Sequence, residues 1–144
     1  MADKILIVDD DPDMLTVLRW ALSRVGDVLE AGEGRAALRL VRDEKPRLIL
    51  LDVAMPGMSG IEVLKEARAL DPTAIVVMLT GLCDIAIAKE ALDCGARAYI
   101  TKPFDDNYLC GEVQRLLEGA RKKPEGAAAD EEGESGRPWR VRQS

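Results

Sequence analysis

Five short apolar runs alternate along the chain with five segments whose apolar residues recur at helical spacing. The runs lie at residues 4–8, 27–31, 47–51, 74–79 and 97–100. A short apolar run without polar alternation is typical of a strand buried on both faces, as parallel strands are between two layers of helices. The repeated strand–helix alternation therefore predicts an α/β protein with a parallel sheet and right-handed crossover connections.

The hydrophobicity of the runs predicts their order in the sheet. Runs 4–8, 47–51 and 74–79 are the most apolar and are expected at the centre, whereas the half-polar run 27–31 is expected near an edge. We therefore predict a doubly wound, flavodoxin-like sheet of five parallel strands in the order 2-1-3-4-5, flanked by five helices.

Local signals mark where two of the helices begin. Asp11 followed by Pro12 is typical of an N-cap residue and a first helical residue, and Ser59 with Glu62 forms a capping-box pattern. The other helices are expected over residues 35–43, 84–94 and 105–117. From residue 121 onward the chain is charged and rich in glycine and alanine. We thus expect one folded domain over residues 1–120 and a disordered charged tail over residues 121–144.

The composition excludes several classes of site. The chain contains no histidine, which rules out imidazole metal ligands and nucleophile pairs that depend on histidine. Its formal net charge of -6 argues against direct binding of nucleic acid or of an anionic membrane, because both require a basic surface. No segment has membrane-spanning character, and the N-terminus lacks a signal-peptide pattern, so a cytoplasmic location is expected.

Polar residues that could form a site follow four of the five runs. Asp9 and Asp10 follow the first run, Asp52 the third, Thr80 the fourth and Lys102 the fifth. These side chains are expected to converge, because the carboxyl ends of parallel strands share one edge of the sheet. Three neighbouring carboxylates raise one another's pKa, a conflict that bound Mg²⁺ would remove. A lysine and a hydroxyl beside them suit a transferring phosphoryl group.

Four sequence blocks resemble the receiver domain of two-component response regulators. They are Ile7–Asp10 (IVDD), Leu51–Gly57 (LDVAMPG), Leu79–Gly81 (LTG) and Tyr99–Phe104 (YITKPF), and the similarity extends over about residues 3 to 120. The resemblance implies that Asp52 accepts a phosphoryl group from phosphohistidine on a sensor histidine kinase, forming an aspartyl phosphate. It also implies a signalling switch that is not an enzyme and that catalyses only its own phosphorylation and dephosphorylation.

The same resemblance implies a magnesium site. Asp10 and Asp52 would bind Mg²⁺ directly, Asp9 would act mainly through water, and the backbone carbonyl of Ala54 would complete the protein ligands. The oxygen donors of this set agree with the known preference of Mg²⁺ for carboxylates, water and phosphate. Mg²⁺ is therefore the expected cofactor.

A switch is likewise implied by the resemblance. Lys102 would bind the phosphoryl oxygens, Thr80 would move toward them, and Tyr99 would turn inward after Thr80. The surface formed by helix 4, strand 5 and helix 5 would change as a result. The peptide bond before Pro103 is expected to be cis. Considered alone, a residue such as Tyr99 is more often part of the core than a switch, and only its position three residues before Lys102 favours the switch.

Two alternative functions are weighed against this interpretation. A haloacid-dehalogenase-like phosphatase also uses an Asp nucleophile and Mg²⁺, but it needs an acid two residues after the nucleophile, where this chain has Ala54. The chain also fits a receiver fragment of a longer DNA-binding transcription regulator.

The resemblance also bears on the lifetime of the phosphoryl group and on partners. Ala54 and Leu82 are apolar at positions that influence hydrolysis of the phosphoryl group in the family, so slow self-dephosphorylation is expected. The expected partners are a sensor kinase, a downstream protein or output domain, and a second copy after phosphorylation.

Overall fold

The computed structural model describes residues 2–81 and 85–122, in which strands and helices alternate. The strands are β1 (Lys4–Val8), β2 (Asp27–Ala31), β3 (Leu48–Asp52), β4 (Ile75–Thr80) and β5 (Ala98–Thr101). The helices are α1 (Pro12–Leu22), α2 (Gly34–Glu44), α3 (Gly60–Leu70), α4 (Ile85–Asp93) and α5 (Asp106–Lys122). The predicted α/β alternation is confirmed.

The sheet has the predicted topology. Its strands are all parallel and lie in the order β2-β1-β3-β4-β5. The three most apolar strands are central, and every residue of β3 and β4 is buried. The half-polar β2 lies at an edge and exposes Asp27 and Glu30. The polarity of these four runs therefore predicted their positions correctly.

The sheet divides the core into two clusters, because successive side chains of a strand point to opposite faces. Ile49 and Leu51 pack in the cluster that includes residues of α2, α3 and α4. Leu48 and Leu50 pack in the cluster that includes residues of α1 and α5. Helices cover both faces of the sheet, which explains why its central strands are apolar throughout rather than alternating.

Both predicted helix starts are present. The Asp11 carboxylate accepts a hydrogen bond from the Asp13 backbone N–H at 3.0 Å, with Pro12 as the first helical residue of α1. At the start of α3, Ser59 and Glu62 form both bonds of the capping box, at 3.3 and 2.9 Å. These bonds satisfy backbone donors that have no partner within the helix. The loops that precede α1 and α3 are thereby fixed at the carboxyl edge of the sheet.

Some element boundaries differ from the prediction. Helix α2 begins one residue earlier than expected, at Gly34, and α5 continues to Lys122 rather than ending at residue 117. The predicted tail lies outside the described residues from position 123 onward and stays a prediction. Across residues 2–81 and 85–122, every helix falls short of the length or the hydrophobicity that crossing a bilayer requires.

Candidate functional site at the carboxyl edge of the sheet

Three aspartates meet where β1 and β3 end. Carboxylate oxygens of Asp9, Asp10 and Asp52 all lie within 4.8 Å of one another. Asp9 and Asp52 are buried, with 1% and 6% of their surface exposed, whereas Asp10 is exposed. The predicted convergence of these side chains is therefore observed, and Asp10 forms the solvent side of the cluster.

Backbone groups hold the two buried carboxylates in place. The Asp11 N–H donates to Asp9 Oδ1 at 3.0 Å, and the Ala54 N–H donates to Asp52 Oδ1 at 3.3 Å. The backbone N–H of Asp9 continues the ladder between β1 and β2 by donating to the Ala31 carbonyl at 3.1 Å. Each carboxylate is thus oriented by the loop that directly follows its strand.

Lys102, after β5, reaches both buried carboxylates. Its Nζ lies 3.4 Å from Asp9 Oδ2 and 3.5 Å from Asp52 Oδ1. Both distances exceed the 2.7–2.9 Å that is usual for a charge-assisted hydrogen bond. When the three carboxylates are ionised, the single ammonium of Lys102 leaves an excess of two negative charges. The cluster is therefore poorly neutralised by the protein itself.

The pKa of Asp52 reflects this environment. Burial, followed by the negative charge of Asp9, raises the pKa of Asp52 from 3.8 to about 6, although Lys102 and the Ala54 N–H act in the opposite direction. The sequence-based expectation that neighbouring carboxylates raise this pKa is correct in direction, but burial is the larger cause. At pH 7 most molecules still carry an ionised Asp52, which is the form that can act as a nucleophile.

The oxygen donors and the excess negative charge fit a hard divalent cation. Mg²⁺ is bound in proteins through one or two carboxylates together with water. The exposed Asp10 leaves the cluster open to the waters that Mg²⁺ retains. The residues present are therefore compatible with Mg²⁺.

Thr80 and Tyr99 lie on the neighbouring strands β4 and β5. Thr80 is the last residue of β4 and is fully buried, and its hydroxyl donates to the Gly81 carbonyl at 3.0 Å. The Lys102 backbone N–H donates to the Thr80 carbonyl at 2.7 Å. Tyr99, on β5, is partly buried and packs against the core cluster on the α2, α3 and α4 side. The Thr80 hydroxyl is thus hydrogen-bonded to the backbone of the residue that directly follows β4.

Other expectations have mixed outcomes. The Lys102–Pro103 peptide bond is cis, as the resemblance implied. Leu82 lies outside the described residues, so the expectation about it stays a prediction.

Sequence reasoning missed two residues that support the site. The Asp11 backbone N–H donates to Asp9 besides the capping of α1 by the Asp11 side chain, and Gly60 lies very close to the end of β3. No sequence signal pointed to Gly60, because its approach to β3 depends on tertiary packing.

A doubly wound parallel sheet with carboxylates, a hydroxyl and a lysine at its carboxyl edge defines a class of phosphoryl-handling α/β domain. A family model described as the response regulator receiver domain matches residues 5–114 of this chain. The chain therefore belongs to the response regulator receiver family, whose members are signalling domains of two-component systems rather than conventional enzymes.

Named proteins and solved structures support this assignment. The chain is 40% identical over 124 residues to regulatory protein AtoC of Escherichia coli (strain K12), covering 85% of this chain and 27% of AtoC. It is 35% identical over 118 residues to sporulation initiation phosphotransferase F of Bacillus subtilis (strain 168), covering 81% of this chain and 95% of that protein. A CheY-like receiver domain protein from Methanospirillum hungatei JF-1 superimposes with a TM-score of 0.81 at 30% identity, covering 86% of this chain and 100% of that chain.

The length of the match differs among the relatives. The chain spans 27%, 54% and 49% of three curated relatives, but 95% of sporulation initiation phosphotransferase F. Both a stand-alone receiver and a receiver fragment of a longer regulator are therefore consistent with the matches. The chain functions as a receiver domain, which is a phosphorylation-dependent signalling switch.

Proposed function

We propose that Asp52 is the phosphoacceptor of this receiver. The observation that supports this most directly is the position of its buried carboxylate, 3.5 Å from Lys102 Nζ and within 4.8 Å of Asp9 and Asp10. A carboxylate oxygen of Asp52 attacks the phosphorus of a phosphohistidine on a sensor kinase. An O–P bond forms, the P–N bond breaks, and the imidazole leaves with its electron pair and takes up a proton. The product is an aspartyl phosphate.

The neighbouring side chains make this transfer favourable. Lys102 stabilises the charge on the phosphoryl oxygens, and its present distance from both carboxylates allows it to turn toward a new anion. Asp10, Asp52 and the Ala54 carbonyl would hold Mg²⁺, and Asp9 would act mainly through water. The bound cation supplies charge neutralisation for carboxylates and phosphoryl group alike. The protein residues themselves align the nucleophile and exclude water from its buried side.

The signal then passes through Thr80 and Tyr99. A phosphoryl group on Asp52 offers the Thr80 hydroxyl a charged acceptor in place of the neutral Gly81 carbonyl. Hydrogen bonds to charged acceptors are stronger than those to neutral ones, so phosphorylation favours the state in which Thr80 turns toward Asp52. Tyr99 follows Thr80, and the surface formed by α4, β5 and α5 changes.

The downstream partner is a protein or an output domain that contacts this surface, and phosphorylation can also promote pairing of two copies. A kinase-controlled switch of this kind operates in the cytoplasm, without direct binding of nucleic acid or membrane by the domain. Residues 1–120 form the receiver in this proposal, with α5 continuing to Lys122, and the charged residues beyond have no defined part in phosphoryl transfer.

The phosphoacceptor assignment can be tested with a small acyl phosphate donor. The wild-type chain should incorporate about one phosphoryl group per molecule, and the product should be labile to hydroxylamine, as expected for an acyl phosphate. Asp52→Asn should abolish incorporation, and removal of Mg²⁺ with a chelator should do the same. Asp13→Asn is a matched control, because Asp13 is an exposed carboxylate in the first turn of α1. Undiminished incorporation by Asp52→Asn would show that the assignment is wrong.

A further inference from the structure

The first residue of α3 lies against the backbone at the end of β3. A Cβ atom added at Gly60 would lie 2.6 Å from the Asp52 carbonyl oxygen and 2.9 Å from both the Cα and the carbonyl oxygen of Val53. Non-bonded carbon atoms normally stay about 3.5 Å or more from their neighbours. Since the contacted atoms all belong to the backbone, no side-chain rotation can relieve the overlap, and only glycine fits this position.

This approach closes the loop that follows the candidate phosphoacceptor. The chain leaves β3 at Val53 and returns at Gly60, whose N–H donates to the Val53 carbonyl at 3.2 Å. The capping box of Ser59 and Glu62 fixes the start of α3 at the same place. Residues 53–59, including Ala54, therefore form a loop whose two ends are held together at the Asp52 backbone.

A second glycine supports this loop from α2. A Cβ atom at Gly34 would lie 2.8 Å from Val63 Cγ2 and 2.9 Å from Met58 Cβ and Sδ. Met58 belongs to the loop, and Val63 belongs to α3. The atoms contacted here are in side chains, and the methionine sulfur can move. A methyl group at position 34 should therefore displace the loop less than one at position 60.

We propose that Gly60 is a positioning residue for the Mg²⁺ site and that Gly34 supports the same loop more weakly. This inference rests on the proposed function, since it assumes that Asp52 and the Ala54 carbonyl hold Mg²⁺. A methyl group at position 60 pushes the Asp52 and Val53 backbone away from α3 and changes the relative positions of these donors. Mg²⁺ requires nearly ideal octahedral geometry, so such a displacement weakens binding.

Three alanine variants of the full chain test this proposal. Gly60→Ala and Gly34→Ala change the two close approaches, whereas Gly111→Ala is a matched control, because a Cβ atom at Gly111 in α5 has open space around it. Mg²⁺ is titrated without a phosphodonor, and the shifts of the backbone amides of residues 52–55 are followed by NMR. Alanine is favoured over glycine inside helices, so helix propensity does not predict a loss.

The half-saturating Mg²⁺ concentration should rise on the order of tenfold in Gly60→Ala, as for other residues that orient metal ligands. It should rise by a smaller factor in Gly34→Ala and stay unchanged in Gly111→Ala. At saturating Mg²⁺, the phosphorylation rate of Gly34→Ala should return to near the wild-type value. A lower melting temperature with wild-type half-saturation would show a purely structural role and overturn the proposal.

Three further outcomes are decisive. If Gly60→Ala does not fold, wild-type half-saturation in Gly34→Ala rejects the proposal, whereas a raised value supports it. If the wild-type chain itself lacks Mg²⁺-dependent phosphorylation at Asp52, the proposed function fails. If the wild type is phosphorylated normally and both glycine variants match its Mg²⁺ affinity, only the positioning role fails.

Discussion

The amino and carboxyl ends of the sheet each carry a lysine beside carboxylates, but these groups are exposed at the amino end and mostly buried at the carboxyl end. At the amino end, Lys4 Nζ lies 2.8 Å from Glu44 Oε1, and both side chains are more than 40% exposed. At the carboxyl end, Lys102 Nζ lies 3.4 and 3.5 Å from Asp9 and Asp52, whose side chains are 1% and 9% exposed. The exposed pair is close and solvated, whereas the buried groups are farther apart and poorly solvated.

This difference bears on stability, because exposed charges cost the folded state little, whereas buried charges cost more and are expected mainly where a function requires them. An exposed ion pair typically contributes between about 0 and 1 kcal/mol, whatever its distance. Burying carboxylates without full compensation lowers stability and shifts their pKa values, which is a common property of functional sites. The raised pKa of Asp52 and its burial beside Asp9 and Lys102 support the function proposed for the carboxyl end.

The largest effect should come from removing the lysine at the carboxyl end. Lys102→Met should slow phosphorylation by a small acyl phosphate on the order of 100-fold at saturating Mg²⁺, since the phosphoryl oxygens lose a charged donor. Rates measured with radiolabelled donor check this. Lys4→Met, at the amino end, should keep the wild-type rate. Equal rates for the two variants would remove the functional distinction between the ends.

Neutralising Asp52 should stabilise the fold. The pKa of Asp52 is about 6 in the folded protein and 3.8 ordinarily, so the folded state holds this proton more tightly than the unfolded state. Without Mg²⁺, the contribution of Asp52 to stability is therefore most favourable below pH 4 and is lost as the pH rises through 6. At pH 7, Asp52→Asn should raise the free energy of unfolding by about 3 kcal/mol.

Urea unfolding of wild type and Asp52→Asn at pH 4, 5, 6 and 7 measures this contribution. The difference between the two proteins should grow from pH 4 to pH 6 and then level off. Addition of Mg²⁺ should stabilise the wild type more than the variant, because the cation binds the ionised carboxylate in the folded state. A difference that does not change with pH would contradict the assigned pKa shift.

The phosphorylated lifetime should depend on two apolar residues, Ala54 and Leu82, which stand two positions after Asp52 and Thr80 in the sequence. Replacing both Ala54 and Leu82 with polar residues, as in Ala54→Asn combined with Leu82→Gln, should shorten the lifetime on the order of tenfold, since a polar pair can orient the attacking water. Loss of label after removal of the donor gives this rate. An isosteric apolar change, Leu82→Met, is the control and should leave the lifetime unchanged.

The smallest effect is expected at the amino end. Glu44→Gln breaks the close pair with Lys4 and should lower the free energy of unfolding by no more than about 0.5 kcal/mol. At 1 M salt the effect should vanish, because the screening length falls to about 3 Å. Chemical denaturation at two salt concentrations measures it. A loss as large as the gain in Asp52→Asn would contradict the comparison.

Sequence patterns predicted the fold well, because the hydrophobicity of each strand reflects how deeply that strand is buried. The wholly apolar β3 and the half-polar β2 took the central and edge positions that their composition indicated. The ends of elements were less predictable, because α5 continues beyond its last strongly apolar positions as far as Lys122. Apolar spacing places the end of this helix near Leu117, whereas Pro124 is the nearest stop signal, because the residue before a proline disfavours helical backbone.

The site was predictable only as a set of residues. The ends of the strands identified Asp9, Asp10, Asp52, Thr80 and Lys102 as neighbours, but not that Asp10 is exposed or that burial is the main cause of the Asp52 pKa. These properties depend on how loops from different strands cover one another. The close approach of Gly60 to Asp52 is of the same kind, since it joins a helix start to a strand end in three dimensions.

The backbone bond from Lys102 to Thr80 has a consequence for the speed of the proposed switch. The N–H of Lys102 and the carbonyl of Thr80, 2.7 Å apart, extend the β4–β5 ladder beyond the paired Thr80 and Thr101. With both main chains tied, Thr80 can respond only by rotating its side chain and exchanging one neutral hydrogen bond. Rotation of one side chain is a smaller motion than rearrangement of helices and loops, so we expect the rate of signalling to be limited by phosphoryl transfer and by rearrangement of the outer surface.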